Sequence, residues 1–169
     1  MKILTVENKK EARFLRKKAD AFDFKSFKRN ELRELIKEMR KTMKDADGIG
    51  LSANQIGANL KLFVAEIPAN ENKANKFYAV FNPEIIKKSS DLTDMEEGCL
   101  SVPQTFGLVS RHEKITVQGL DSNGKTIKIK AWGLLAKAFQ HEIDHLNGVL
   151  FIDKAKSVQK ISKAAAPLK

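Results

Sequence analysis

The stretch GLLAKAFQHEIDHLN, residues 133–147, is the part of this 169-residue sequence that decides the fold. Its apolar residues recur at helical spacing and predict a long, largely buried helix, which Gly148 would end with a left-handed cap. His141 and His145 stand four residues apart, so both can face one metal ion from one side of that helix. Glu142 lies beside them and could take a proton from metal-bound water.

A bound metal would explain why such polar groups are buried. Two imidazoles and a carboxylate are costly to bury without partners, whereas a divalent ion satisfies both rings and keeps them neutral. Two separately hydrogen-bonded core histidines are the alternative. A catalytic site also needs a third protein ligand and a fourth position for water. We expect His112 to be solvated at a strand end, which leaves Cys99, in the segment EGCLS at 97–101, as a plausible thiolate ligand.

A third candidate segment is the glycine-rich stretch GIGLSANQ, residues 48–55. Its two glycines and small residues would let backbone approach a ligand closely, and Gln55 offers an amide donor. The segment lacks the spacing and the lysine of a phosphate-binding loop, so we expect no nucleotide site. The simpler interpretation is a helix end that leads into a strand.

The remaining sequence predicts further helices and antiparallel strands. An amphipathic helix is predicted from about Phe24 to Asp45, after a short helix near Glu11 to Ala19. Period-two or continuous apolar patterns predict strands at 60–67, 77–86, 114–120 and 125–131, with a hairpin turn at 121–124 and an exposed loop at 68–76. Beyond Gly148 we expect a short strand at 149–152, a Lys-rich helix at 154–163 capped by Asp153, and a frayed tail at 164–169.

These elements indicate the α+β class. We expect antiparallel strands packed around a central metal-binding helix, with an N-terminal amphipathic helix and a C-terminal helix, in a single catalytic domain over residues 1–169.

Composition narrows the classes of function. With 31 Lys and Arg against 21 Asp and Glu, the formal net charge of +10 favours encounters with polyanions. No apolar run approaches the roughly 20 residues that span a bilayer, and no signal-peptide core follows Met1, so we expect a cytoplasmic protein. The single cysteine, Cys99, cannot form an internal disulfide, which fits a reducing compartment.

Taken in order, segments 48–55, 97–101 and 140–145 resemble the three signature motifs of the peptide deformylases. The resemblance implies that Cys99, His141 and His145 bind one divalent metal ion with water as the fourth ligand. The native ion would be Fe²⁺, with Zn²⁺ or Ni²⁺ as alternatives.

The same resemblance implies a reaction. Glu142 would activate water for attack on the formyl carbon of an N-formylmethionyl peptide, releasing formate and a free N-terminus. The side chain of Gln55 and the backbone N–H of Leu100 would stabilise the oxyanion.

The resemblance also implies where a peptide lies. An extended peptide would run alongside Ile49 and Gly50 as an added strand. Its methionine side chain would enter an apolar pocket, for which the candidates are Ile49, Met95, Leu134 and Ala138.

Three charged residues are candidates for supporting the ligands. Glu97 and Arg111 could pair to hold the Cys99 segment, and Asp144 could accept a hydrogen bond from a ligand histidine. Lys137 departs from the family pattern, because an apolar residue is common at this pocket-side position.

Two other functions share some of these features. A zinc metallopeptidase would use the same two-histidine helix, but its third ligand is normally a His or Glu downstream, and neither follows His145. A basic ribosome-binding or RNA-binding domain with a structural metal fits the charge, but aromatic residues are only 7% of the chain. We therefore expect formyl-methionyl nascent peptides as partners, with ribosome contact through the basic segment 154–163 as a possibility, and neither a membrane nor a specific nucleic acid.

Overall fold

The computed structural model describes residues 1–68 and 75–161. Residues 69–74 and 162–169 lie outside the described part of the chain, and with them most of the predicted loop at 68–76 and the whole predicted tail at 164–169. Within the described part, no helix is long and apolar enough to cross a membrane.

Helices and strands are largely segregated along the described residues, with α-helices before and after a run of antiparallel strands, which confirms the α+β class. The α-helices are α1 (Lys9–Leu15), α2 (Arg29–Asp45) and α3 (Gly133–Leu146). The strands are β1 (Gly50–Ser52), β2 (Leu62–Ile67), β3 (Lys76–Lys88), β4 (Leu92–Cys99), β5 (Val102–His112), β6 (Lys114–Leu120), β7 (Thr126–Trp132) and β8 (Ser157–Lys160).

Two antiparallel sheets pack around α3. The larger sheet has the strand order β1-β2-β3-β6-β7, and the smaller has the order β4-β5-β8. The apolar side of α3 carries Phe139, Ile143 and Leu146, which belong to one buried cluster with Phe63 and Val117 of the larger sheet. Strand β5 of the smaller sheet contacts the same helix. The central helix is therefore held on two sides, which fixes the direction of its polar side chains.

Gly148 ends α3 as the sequence predicts. Its φ of 75° is left-handed, and its N–H donates to the carbonyl of His145 at 2.9 Å. A Cβ at this position would lie 2.4 Å from the backbone oxygen of Arg16, so no other residue fits without a shift of the backbone.

The predicted start of α2 is wrong by one short turn. Phe24–Ser26 forms a separate 3-10 turn, and α2 begins at Arg29. The aromatic rings explain the break, because Phe24 packs against Phe22 and Phe81 with ring centroids 4.9 and 5.1 Å apart. Packing this half-buried ring against the core takes the chain out of the helical path.

The segment after α3 also differs from the prediction. Residues 151–153 form a 3-10 turn in place of the predicted short strand. Within the Lys-rich segment, residues 157–160 form β8, which pairs with β5, in place of a helix. Asp153 is the last residue of this turn and caps its start, because its carboxylate accepts a hydrogen bond from the N–H of Leu150 at 2.8 Å; it also binds Arg16. The backbone of residues 157–160 then pairs with the free edge of β5. This tertiary pairing overrides the helical preference of the Lys-rich segment.

Candidate metal centre and active site

The three predicted metal ligands converge in the structure. The Sγ atom of Cys99 lies 3.1 Å from Nε2 of His145, and the ligand atoms of Cys99, His141 and His145 all lie within 4.8 Å of one another. Ligand atoms that share one tetrahedral ion at 2.0–2.3 Å are roughly 3.5 Å apart, so the spacing suits a single ion. One thiolate and two imidazoles form a donor set for a borderline-soft divalent metal, and this group could bind one.

Cys99 reaches the histidines because β4 ends in a tight turn. The β4–β5 register shifts between Gly98 and Cys99, so the thiol leaves the regular ladder and faces α3. The N–H of Ser101 donates to its sulfur at 3.4 Å. The long β4–β5 hairpin was not predicted from the sequence, and it explains why the EGCLS segment fits neither a helix nor an alternating strand.

A buried ion pair supports His141 from behind. The guanidinium of Arg111, which is only 2% exposed, donates to both oxygens of Glu97 at 2.7 and 2.8 Å. The second of these oxygens lies 2.9 Å from Nδ1 of His141, so the carboxylate can accept that proton and leave Nε2 for a metal. Burial raises the pKa of Glu97, but the hydrogen bonds from Arg111 and His141 outweigh it and lower the pKa to about 2.

The predicted role of Asp144 is wrong. Its carboxylate accepts hydrogen bonds from Arg111 and Lys154, the latter at 2.7 Å, and from neither histidine of α3. Glu97 occupies the position of acceptor, because β4 lies against the side of α3 on which Nδ1 of His141 emerges. Asp144 instead holds the outer side of the guanidinium.

The two histidines have different electrostatic surroundings. Burial lowers the pKa of His145 well below its ordinary value, which keeps the ring neutral, as a metal ligand must be. Burial also lowers the pKa of His141, but hydrogen bonds to Cys99 and Glu97 outweigh this and raise it to about 10. A proton and a metal ion therefore compete at His141.

Glu142 is placed as a candidate base. It is 3% exposed, and burial raises the pKa of its carboxyl to about 7. Its Oε2 atom is buried with no hydrogen-bond partner among the described residues, which fits an acceptor intended for a ligand or water. Gly50 gives it room, since a Cβ there would lie 2.3 Å from Oε1 of Glu142.

Gln55 aims its amide nitrogen at the same place. It lies in a 3-10 turn after β1, where its Oε1 accepts from the N–H and hydroxyl of Ser52, both at 2.9 Å. The NH₂ group therefore points to the Oγ of Ser101 at 3.1 Å and to Sγ of Cys99 at 3.7 Å. Ser101 was not singled out from the sequence. Its position two residues after the candidate ligand Cys99 was a signal that it could contact the site.

A cavity of about 430 Å³ opens in front of these groups. Its size suits a small peptide segment or a drug-sized ligand. All the predicted peptide-contact residues line it, together with Gln55, Cys99, Leu100, His141 and Glu142; they are Ile49, Gly50, Met95, Leu134 and Ala138. Lys137 lines the cavity as well and is only 6% exposed, so one wall of the cavity contains a buried lysine side chain.

His112 is not part of this group. It ends β5, half-buried, with its Nδ1 atom 2.6 Å from the carbonyl of Ser89. Of the chain's three histidines, the two on α3 are those that face Cys99.

Comparison with known proteins agrees with this geometry. The polypeptide deformylase family model matches residues 1–161. The peptide deformylase of Caulobacter vibrioides is 40% identical over 170 residues, which cover 96% of this chain and 95% of that protein. The chain belongs to the peptide deformylase family. It is thus an enzyme of the deformylase type, a hydrolase connected with protein biosynthesis.

Solved structures of deformylases share the fold. A peptide deformylase from Synechococcus elongatus in complex with actinonin has a TM-score of 0.80 at 37% identity, over 93% of this chain and 79% of that one. A class I type b peptide deformylase from Acinetobacter baumannii, bound to Met-Ala-Ser, has a TM-score of 0.81 at 29% identity, over 91% and 97%.

Proposed function

We propose that this chain removes the formyl group from the N-terminal methionine of newly made polypeptides, releasing formate, with one divalent metal ion held by Cys99, His141 and His145. The observation that carries the proposal is the approach of the Cys99 sulfur to within 3.1 Å of His145 Nε2, beside the buried carboxylate of Glu142. The family shown for the chain supports the same substrate class.

The bound ion supplies Lewis acidity, which acidifies water and polarises a carbonyl group. Glu142 takes a proton from the attacking water while the new C–O bond forms at the formyl carbon. The amide nitrogen of Gln55 and the backbone N–H of Leu100 donate to the formyl oxygen as negative charge develops there. Glu142 then returns its proton to the departing amine as the C–N bond breaks, which leaves formate and a free amino terminus.

The peptide lies along the edge of the larger sheet. Strand β1 pairs with β2 on one side only, so an extended peptide beside Ile49 and Gly50 can add as a further strand. The methionine side chain enters the cavity between Met95, Leu134 and Ala138. The Acinetobacter relative, whose structure contains bound Met-Ala-Ser, supports a short peptide that begins with methionine as the ligand.

Glu97 and Arg111 act as positioning residues. The buried pair orients His141 through its Nδ1 atom, and the guanidinium is itself held from the other side by Asp144. A double-mutant cycle on metal affinity should show coupling between Glu97 and Arg111, because removing either residue leaves the other as an unpaired buried charge.

The metal is proposed to be Fe²⁺ natively, with Zn²⁺ or Ni²⁺ as alternatives, because one thiolate and two imidazoles suit all three. Cytoplasmic location and contact of residues 154–163 with the ribosome stay predictions.

Two matched peptides test the substrate. Formyl-Met-Ala-Ser should yield free Met-Ala-Ser and formate, whereas acetyl-Met-Ala-Ser should react far more slowly because its methyl group must fit where the formyl hydrogen lies. Cleavage of the Met–Ala bond in either peptide would indicate a metallopeptidase and contradict the proposal.

A further inference from the structure

The outer face of the larger sheet carries lysines that the proposed reaction does not use. Side chains along β7 alternate, so Lys128, Lys130 and Trp132 are exposed while Ala131 is buried. The strand register places Lys114 of β6 opposite Trp132. It also places Thr116 opposite both Lys130 and a lysine of β3. We call this surface the lysine face and define it by Lys87, Lys114, Lys128, Lys130 and Trp132.

The charge of the lysine face is unbalanced. None of its four lysines forms a hydrogen bond or ion pair through its ammonium group with any residue that the structure describes. Among the described residues of β3, β6 and β7, Glu84 is the one carboxylate on this face. Gln118 lies between it and Lys128. Some lysines elsewhere in the described residues do have carboxylate partners, as Lys156 has in Asp94 at 2.8 Å. Unpaired ammonium groups grouped on one face favour a polyanion.

Trp132 indicates which polyanion fits. It is the single tryptophan of the chain, and it is 67% exposed at the edge of the lysine face. An exposed indole among lysines offers a surface on which a nucleic-acid base can stack. The neighbouring side chains between the lysines are polar: Thr126 is exposed, and Thr116 and Gln118 are half-buried. A membrane-binding surface needs more apolar area than one ring provides.

We propose that the lysine face binds single-stranded RNA, with phosphates on the lysines and one base stacked on Trp132. Choosing RNA over DNA rests on the proposed function, because an enzyme that acts on newly made polypeptides works beside the RNA of translation. This site is distinct from the cavity, whose lining includes none of the five residues of the face.

The single tryptophan makes the test direct. The metal-loaded protein is titrated with a twelve-nucleotide oligouridine while Trp132 fluorescence is recorded. Stacking should quench the emission, and log K should fall against log salt with a slope between about −2 and −3, as three or four phosphate contacts predict. Lys128→Glu/Lys130→Glu should weaken binding at least about tenfold at low salt. Its matched control, Lys9→Glu/Lys10→Glu on the exposed side of α1, makes the same change of charge and should alter the affinity less than about twofold.

Several results would overturn the proposal: no quenching, equal losses in both double variants, or quenching by vesicles of anionic lipid without any by RNA. Formate release from formyl-Met-Ala-Ser is measured on every variant and should be unchanged, so failure of RNA binding is distinguishable from failure of the deformylase proposal. If Lys128→Glu/Lys130→Glu melts at a lower temperature than the parent, Lys87→Glu/Lys114→Glu tests the same claim from the neighbouring strands.

Discussion

Adding one methyl group at Gly50 should disable the enzyme without removing its metal. A Cβ at this position would lie 2.3 Å from Oε1, 2.9 Å from Cδ and 3.1 Å from Cγ of Glu142. An ordinary contact is at least about 3.4 Å, so the carboxylate must retreat by about 1 Å. A displacement of about 1 Å in a catalytic group can lower the rate by about 100-fold, which corresponds to about 3 kcal/mol of transition-state stabilisation.

The assay compares kcat for formyl-Met-Ala-Ser with metal content in Gly50→Ala and Gly48→Ala. A Cβ at Gly48 would meet the end of the Leu100 side chain at 3.0 Å and two backbone oxygens at 3.3 and 3.5 Å, and Glu142 is not among its nearest neighbours. We expect Gly48→Ala to stay within a few-fold of the parent. Wild-type turnover in Gly50→Ala, or equal losses in both variants, would refute the argument that Gly50 makes room for the base.

Three further changes separate the roles of neighbouring residues. Glu142→Gln should keep the metal but lower kcat by about 10²–10⁴-fold, as expected for a lost general base, and metal analysis beside a turnover assay checks both. Cys99→Ala should lose the metal, and retention of a full equivalent would reverse the assignment. In the metal-free protein, the Glu97 carboxyl, whose pKa falls from 4.5 to about 2, stabilises the fold above about pH 4.5, and this stabilisation is lost as the pH falls through 2. It amounts to about 3 kcal/mol near neutral pH, so urea unfolding of Glu97→Gln should show a deficit that shrinks towards pH 2, and a deficit independent of pH would contradict this cause.

Local patterns predict the fold well wherever one segment determines its own structure. The helix ending at Gly148 and the hairpin turn between β6 and β7 both follow from periodicity and turn chemistry over a few residues. Strand β8 could not be found this way, because the Lys-rich segment that contains it resembles a helix in composition, and only pairing with the distant edge of β5 makes it a strand. The predicted start of α2 at Phe24 was wrong for the same reason, since the Phe24 ring packs against Phe81 of β3.

The residues of the candidate site could be predicted from the sequence in part. Residue type and motif spacing were enough to single out Cys99, His141 and Glu142, because metal and acid-base chemistry restrict which residues can serve. The acceptor behind His141 was not predictable, since the choice between Glu97 and Asp144 depends on how β4 packs against α3. The burial of Lys137 in the cavity wall was not predictable either, because it follows from tertiary packing.

Formate release per bound metal tests the central claim most directly. The protein is stripped of metal, reloaded anaerobically with increasing Fe²⁺, and assayed with formyl-Met-Ala-Ser. We predict that formate production rises linearly and stops at one equivalent of iron per chain, while Glu142→Gln binds the same equivalent and releases almost none. Formate production by the stripped protein, or a metal-loaded protein that releases no formate, would contradict the account.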